Sequence, residues 1–223
     1  MGLIDPMRVK EIKEVAEKKF RKSRVLKDFL GWPWVHDDQF VSQVVCYTDG
    51  AASMGSTYPR EPLSAGWAAV FFVQRDGHRA MLGAMFAPVV VDPSSPLFFG
   101  SERPTNAIAE LVAVIASLHL FRRVLPSAPS SVDFFVGATY VEAALALKAA
   151  ANKNRSLVRV GRVELGAAKL GGEVRFHHVA GHSGVAENEM ADLCAVWARH
   201  GGTTMPPLSW QEIDVQVPQS RGQ

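Results

Sequence analysis

The chain has 223 residues, 48% hydrophobic and 21% charged, enough for one globular domain with short extensions. No run of eighteen apolar residues occurs, and no signal-peptide-like apolar stretch opens the sequence, so neither a membrane-spanning helix nor secretion is expected. Twenty-four Lys and Arg against 22 Asp and Glu is too even to announce a nucleic-acid binder by charge alone, so any basic surface must be local. Cys46 and Cys194 show no metal-ligand spacing, and they read as reduced core residues of an intracellular, reducing compartment.

Residues 1–40 form a first segment. Nine Lys/Arg against five Asp/Glu in residues 1–30, with Val9, Ile12, Ala16 and Phe20 on one helical face, describe a basic amphipathic helix. It is either packed on its own domain or held out as an arm that grips RNA or a partner subunit. Its Glu11, Glu14 and Glu17 are unlike an organellar presequence, and Gly31-Trp32-Pro33-Trp34 ends the helix. From Val41 β-branched and aromatic residues lead into Thr48-Asp49-Gly50, a strand reaching a turn. Two further strands, Gly66–Val73 and Arg79–Phe86, flank Arg75-Asp76-Gly77 and predict an antiparallel meander. Residues 87–104 are proline-rich and aperiodic, an insertion or lid. A long apolar helix then covers Ala107 to Arg122.

Beyond it the pattern predicts a strand at Ser131–Val136, helices at Tyr140–Ala151 and Ser156–Leu170, a strand at Val174–Val179, a loop, and a last helix at Glu189–His200. The order is βββαβααβα, an α/β domain over residues 41–200 with a five-stranded mixed sheet flanked by helices. Residues 201–223 form a Pro-rich polar tail, a second candidate surface for protein partners.

Three places carry possible chemistry. Asp49-Gly50 taken alone is a common turn pair. Glu110 sits in Ala-Ile-Ala-Glu-Leu-Val-Ala-Val-Ile, where an isolated ionised carboxylate is costly, so it calls for a positive partner. His182, Asn188 and Asp192 share one segment, with Asn188 placed to cap a helix that presents Asp192.

Together, Tyr47-Thr-Asp-Gly50, Thr105-Asn-Ala-Ile-Ala-Glu-Leu111 and Gly181-His-Ser-Gly-x-x-x-Asn-Glu-x-x-Asp192 resemble the ribonuclease H family in its own motif order, over about residues 41–200. The divergent character and the proline loop look like the retroelement type. The resemblance implies cleavage of the RNA strand of an RNA/DNA hybrid with two Mg²⁺ ions, or Mn²⁺, held about 4 Å apart by clustered carboxylates. It assigns Asp49 to both ions, Glu110 and Asp192 to the ion on the leaving-group side, and His182 to proton transfer or product release. It further implies that Asn106 touches the hybrid's sugars. Arg103, Thr105 and Asn154 resemble a DNA-phosphate pocket, against the plainer readings of a surface arginine, a helix N-cap and a loop asparagine. The family's aromatic, lysine-rich protrusion is absent, since Ala143–Lys153 offers only Lys148 and Lys153, and weaker hybrid affinity is expected.

One ligand is missing. Where the family reads Thr-Asp-Ser-x-Tyr-Val this chain reads Val136-Gly-Ala-Thr-Tyr-Val141, so Gly137 occupies the position of the fourth carboxylate. Neither Asp133, back in the strand, nor Glu142, on the next helix, obviously replaces it. The ion that activates the attacking water is left with Asp49 and solvent, and turnover is expected to fall by orders of magnitude. The leading expectation is therefore a catalytically impaired RNase H-like protein that needs no cofactor and serves as an RNA-binding or structural subunit of a larger assembly, such as an organellar ribonucleoprotein. The competing expectation is an active Mg²⁺-dependent ribonuclease H in which water or Glu142 compensates. An integrase- or transposase-like member is disfavoured, because the Gly-His-Ser-Gly loop and the Asp192 helix follow the ribonuclease pattern.

Overall fold

The computed structural model describes residues 43–53, 64–75, 78–95, 97–123, 129–146, 154–181 and 183–202. The amphipathic N-terminal segment, the tail from 203, His182 and the Lys148–Lys153 stretch lie outside the described residues.

Strands β1 (Gln43–Ala52), β2 (Ala65–Arg75) and β3 (His78–Pro88) form the expected meander, and β4 (Ser131–Val136) and β5 (Glu173–His178) join it in the order β3-β2-β1-β4-β5. The β1–β2 and β2–β3 pairs are antiparallel, and β1–β4 and β4–β5 are parallel. The sheet is mixed because the first three strands follow one another antiparallel, whereas β4 and β5 follow helices and join parallel. Helix α1 (Asn106–Arg123) leads to β4, and α2 (Thr139–Leu145) and α3 (Arg155–Gly171) lead to β5. Helix α4 (Ala186–Arg199) closes the domain.

Strand alternation divides the side chains between two layers. Val44, Cys46, Phe71, Phe134 and Val136 face α1, α2 and α3, where Ile108, Leu111, Ile115, Leu145 and Leu157 fill the main core. Val45, Tyr47, Val70 and Phe72 face the other way, against Met190 and Ala191 of α4, and farther along Ala51 and Ala68 meet Cys194, Ala195 and Ala198. Gly66 lets α4 lie directly on β2: a Cβ there would come 2.2 Å from the Ala195 carbonyl oxygen and 2.3 Å from the Arg199 nitrogen. Both cysteines are buried, and burial pushes the Cys194 thiol up to about 12.

On the α4 side of the sheet, Asp133 is buried at 5% exposure. It accepts hydrogen bonds from Arg175 Nε (2.7 Å) and Nη2 (2.8 Å) and from Gln43 Nε2 (2.8 Å), and it pairs with His177 Nε2 (2.7 Å). Burial acts to raise its pKa, but the bonds from Arg175, Gln43 and His177 outweigh burial and hold the carboxyl well below the ordinary carboxylate range. A depressed carboxyl contributes stability above its unfolded pKa and loses it as pH falls. Asp133→Asn is thus expected to cost about 2 kcal/mol at pH 7, a gap that narrows below about pH 4 in urea unfolding followed across pH.

The proline-rich stretch is anchored to the domain at its two ends, with Val89 and Ser101 buried and residues 91–94 exposed. Gly100, at φ +100°, brings the chain against the start of α3, where a Cβ would stand 3.0 Å from the Leu157 nitrogen, and Ser101 beside it is buried. Three element boundaries differ from the sequence expectation. Strand β1 runs on through Asp49 and Gly50 to Ala52 instead of turning there, because β2 continues to pair with it as far as Ala65. The described part of α2 ends at Leu145, with residues 147–153 outside the description. Helix α4 begins at Ala186, three residues early, because the Val185 carbonyl already accepts from the amides of Asn188 (2.9 Å) and Glu189 (3.0 Å). Glu187 and Glu189 in its first turn suit the positive end of the helix dipole.

Candidate active site

The site forms where β1 outruns β4. The β1–β4 register ends at Thr48 opposite Val136, so Asp49 lies just past the last paired residue. On the other side, Asp49 is still paired with Ala68 of β2. Asp49 shares the α4-facing parity of Tyr47 and Ala51, while Gly50 faces α1. That glycine is required by close approach: a Cβ would fall 2.5 Å from the Glu110 nitrogen and 2.7 Å from Ala109 Cβ. Helix α1 can therefore rest on the β1 backbone at this point and bring Glu110 beside Asp49.

Thr105 caps α1. Its Oγ1 accepts from the Ile108 amide at 3.3 Å and its carbonyl from the Ala109 amide at 2.9 Å, in keeping with the plain N-cap reading. Asn106 opens the helix and, like Arg103, is exposed. Glu110, one turn in, is 5% exposed, and its Oε2 is buried with no hydrogen-bond partner. Its pKa is pushed up to about 9, first by burial, then by the charge of Asp49 and a hydrogen bond with it, and then by Asp192. The sequence called for a positive partner; the described groups acting on Glu110 are carboxylates, which favour its protonated form unless a cation joins them.

This shift has a sign that can be checked. A carboxyl whose folded pKa is raised makes the folded state bind the extra proton, so stability declines as pH rises from about 4.5 towards about 9. In metal-free buffer, unfolding free energy is expected to fall across that window, and Glu110→Gln is expected to flatten the decline. A native slope equal to that of the variant would contradict the raised pKa.

Asp192 comes from α4 and is half-buried. Asn188, one turn earlier, does not cap the helix as the sequence suggested. It lies inside the first turn at 3% exposure, with Oδ1 unpartnered, and Val185 takes the cap position. With its backbone already helical, the side chain points inward instead of back over the helix end. Asn154 precedes α3 in a left-handed conformation at φ 53° and makes no side-chain cap bond. The contact of Gly100 with Ser156 and Leu157 sets the segment before Arg103 and Thr105 beside the start of α3, next to Asn154.

Gly137 stands at the mouth of this site. An ideal Cβ there meets one described heavy atom within 4 Å, Glu110 Oε1 at 3.4 Å, so position 137 is aimed at Glu110. Asp133 is turned to Arg175, and no atom of Asp133 or Glu142 lies within 4 Å of a Cβ built at Gly137. Two residues gain importance only in three dimensions. Tyr140 feels the negative charge of Glu110, which adds to burial in raising its phenol's pKa. His178, paired with Val136 across β4–β5, places Nε2 3.1 Å from the Gly137 carbonyl oxygen.

The donor set suits a hard divalent cation. Asp49 and Glu110 offer adjacent carboxylate oxygens, Glu110 Oε2 is buried without a partner, and Asp192 adds negative potential. Among the described residues no three His, Cys, Asp or Glu side chains are already gathered as a metal-ligand set, so water or substrate oxygens must complete the coordination. No described helix is long and apolar enough to cross a membrane.

The RNase H family model matches residues 41–200. No curated protein matches the chain. Solved structures with the same fold include RNase H1 from the halophilic archaeon Halobacterium salinarum, at 22% identity and TM-score 0.50, covering 71% of this chain and 98% of that one. The LC9 RNase H1, a type 1 enzyme with the type 2 active-site motif, is similar at 18% identity and TM-score 0.54, covering 81% and 84%. A foamy viral protease-reverse transcriptase in complex with RNA/DNA hybrid is similar at 16% identity and TM-score 0.51, covering 71% of this chain and 20% of that one. With the family model spanning most of the sequence and the mixed sheet in matching order, the chain belongs to the RNase H family.

Proposed function

We propose that this protein binds RNA or an RNA/DNA hybrid through its RNase H domain while cleaving it poorly, as a subunit of a larger assembly. One observation carries the reading: position 137 has no side chain, its Cβ direction faces Glu110 Oε1 at 3.4 Å, and no other described heavy atom lies within 4 Å of that Cβ position. In this reading Asp49 and Glu110, with Asp192 behind them, hold one Mg²⁺ or Mn²⁺, which supplies charge stabilisation at a phosphate. A second ion, which would activate water, would keep Asp49 but not the carboxylate expected at position 137.

The retained features support binding. Thr105 and Asn106 are exposed at the start of α1, Asn154 stands at the start of α3, and Arg103 is exposed in the adjoining loop. These are positions from which side chains and amides contact phosphates and 2′-hydroxyls. The hybrid-bound viral relative shares this fold. His182 would assist product departure only if cutting occurs. The basic segment 1–40 and the tail 201–223 are the proposed contacts for RNA or protein partners, within an intracellular assembly.

The reading is tested by measuring binding and cleavage of one labelled hybrid in Mg²⁺ and in Mn²⁺. Binding that is stronger for hybrid than for double-stranded DNA, with little or no cutting, is the expected result. Rapid metal-dependent cutting by the native chain, abolished by Asp49→Asn, overturns it in favour of an active ribonuclease H.

A further inference from the structure

We infer that His178 is a positioning residue that holds the backbone of Gly137 so that position 137 stays aimed at Glu110; this rests on the reading of position 137 as a vacated carboxylate site. Between β4 and α2 three successive carbonyls must find donors. The Val136 oxygen accepts from the Val179 amide at 3.1 Å, and the Ala138 oxygen from the Val141 amide at 3.0 Å. The Gly137 oxygen, between them, lies 3.1 Å from His178 Nε2, the one side-chain partner in the set.

Gly137 does not adopt a left-handed φ, so an aspartate placed there can keep the same backbone and the same carbonyl bond to His178 Nε2. The carbonyl oxygen can only accept, so His178 Nε2 carries the proton of this bond, and both the neutral Nε2–H tautomer and the imidazolium can supply it. The parallel register that sets His178 opposite Val136 gives the ring its reach to the next residue. His178 itself is exposed, so the ring has no described packing role that would tie its loss to the core.

The inference is read in a Gly137→Asp background, with the full chain. Mn²⁺ binding is followed by electron paramagnetic resonance, hybrid cleavage by kcat and KM, and folding by the melting temperature. Gly137→Asp is expected to bind a second Mn²⁺. Adding His178→Ala is expected to weaken that second ion about tenfold or more and to lower kcat correspondingly, while KM and melting temperature stay near their starting values. His178→Asn, which retains a side-chain donor, is expected to recover part of the loss.

If Gly137→Asp binds the second ion equally well with histidine, alanine or asparagine at 178, the positioning role is wrong and the vacated-site reading stands. If Gly137→Asp takes up no second ion with His178 intact, the vacated-site reading fails and this inference fails with it. A loss in His178→Ala that tracks a fall in melting temperature, with no recovery in His178→Asn, assigns the residue to general stability and also overturns the role.

Discussion

Gly137→Asp is expected to raise hybrid cleavage in Mg²⁺ by about 10²- to 10³-fold over the native chain, the scale of one well-placed electrostatic group in a water-excluded site. The geometry leaves room for it. A Cβ at 137 meets Glu110 Oε1 at 3.4 Å and no other described atom within 4 Å, so a carboxylate enters without displacing backbone. The new acid adds repulsion to a cluster that already pushes Glu110 up to about 9, so the variant without metal is expected to melt lower than the native chain and to recover more on adding Mg²⁺. Asp49→Asn in the same background is expected to abolish the gain, because Asp49 is the one acid adjacent to Glu110 on the β1 side. Single-turnover cleavage of a labelled hybrid separates this gain from product release. An unchanged rate in Gly137→Asp, with normal folding and metal binding, would show that the missing carboxylate is not what limits this chain.

Gly50→Ala is expected to lower stability by about 3 kcal/mol, the upper part of the usual overpacking range, because the added carbon meets backbone and not the yielding end of a side chain. The Glu110 nitrogen would be 2.5 Å away and the Ala109 carbonyl carbon 2.9 Å, so α1 must move off β1. In a domain of this size that is a melting-temperature loss of about 6–12 °C. The same displacement separates Glu110 from Asp49, so the variant is also expected to lose Mn²⁺ affinity and the stability decline between pH 4.5 and 9. Gly166→Ala is the control. It lies in α3 with nothing within 4 Å of its Cβ direction, and replacing a helical glycine by alanine is expected to stabilise by about 0.5–1 kcal/mol. Equal melting temperatures for Gly50→Ala and the native chain would disprove the close approach.

Much of the fold was legible because its local signals agree. Alternating apolar residues around Arg75-Asp76-Gly77, the cap at Thr105 ahead of an apolar run, and the strand–helix alternation after Ser131 each constrain a short stretch, and their order describes one sheet. Of the candidate acids, Glu110 stood out by itself as a carboxylate among apolar neighbours, whereas Asp49 read alone as a turn residue and was singled out only by the motif order; the structure places it inside β1. The expectation that Gly137 stands where the family has its fourth carboxylate came from the sequence too, since Tyr140 and Val141 keep the register.

What only tertiary structure decided concerns direction. Sequence placed Asn188 at a helix start but could not tell that the helix begins at Ala186, which turns its side chain inward; cap choice depends on which carbonyl first accepts, and Val185 does. It asked for a cation beside Glu110 but not that Asp49 and Asp192 would stand there with it, because charges from three elements meet only when the sheet and both helix layers assemble. It treated His178 as a strand residue with no role, and only the parallel register of β4 and β5 sets it on the Gly137 carbonyl. Periodicity reports which face a residue takes within its own element, while partners more than a few residues distant are chosen by packing between elements, and the chemistry of this site lies in those partners.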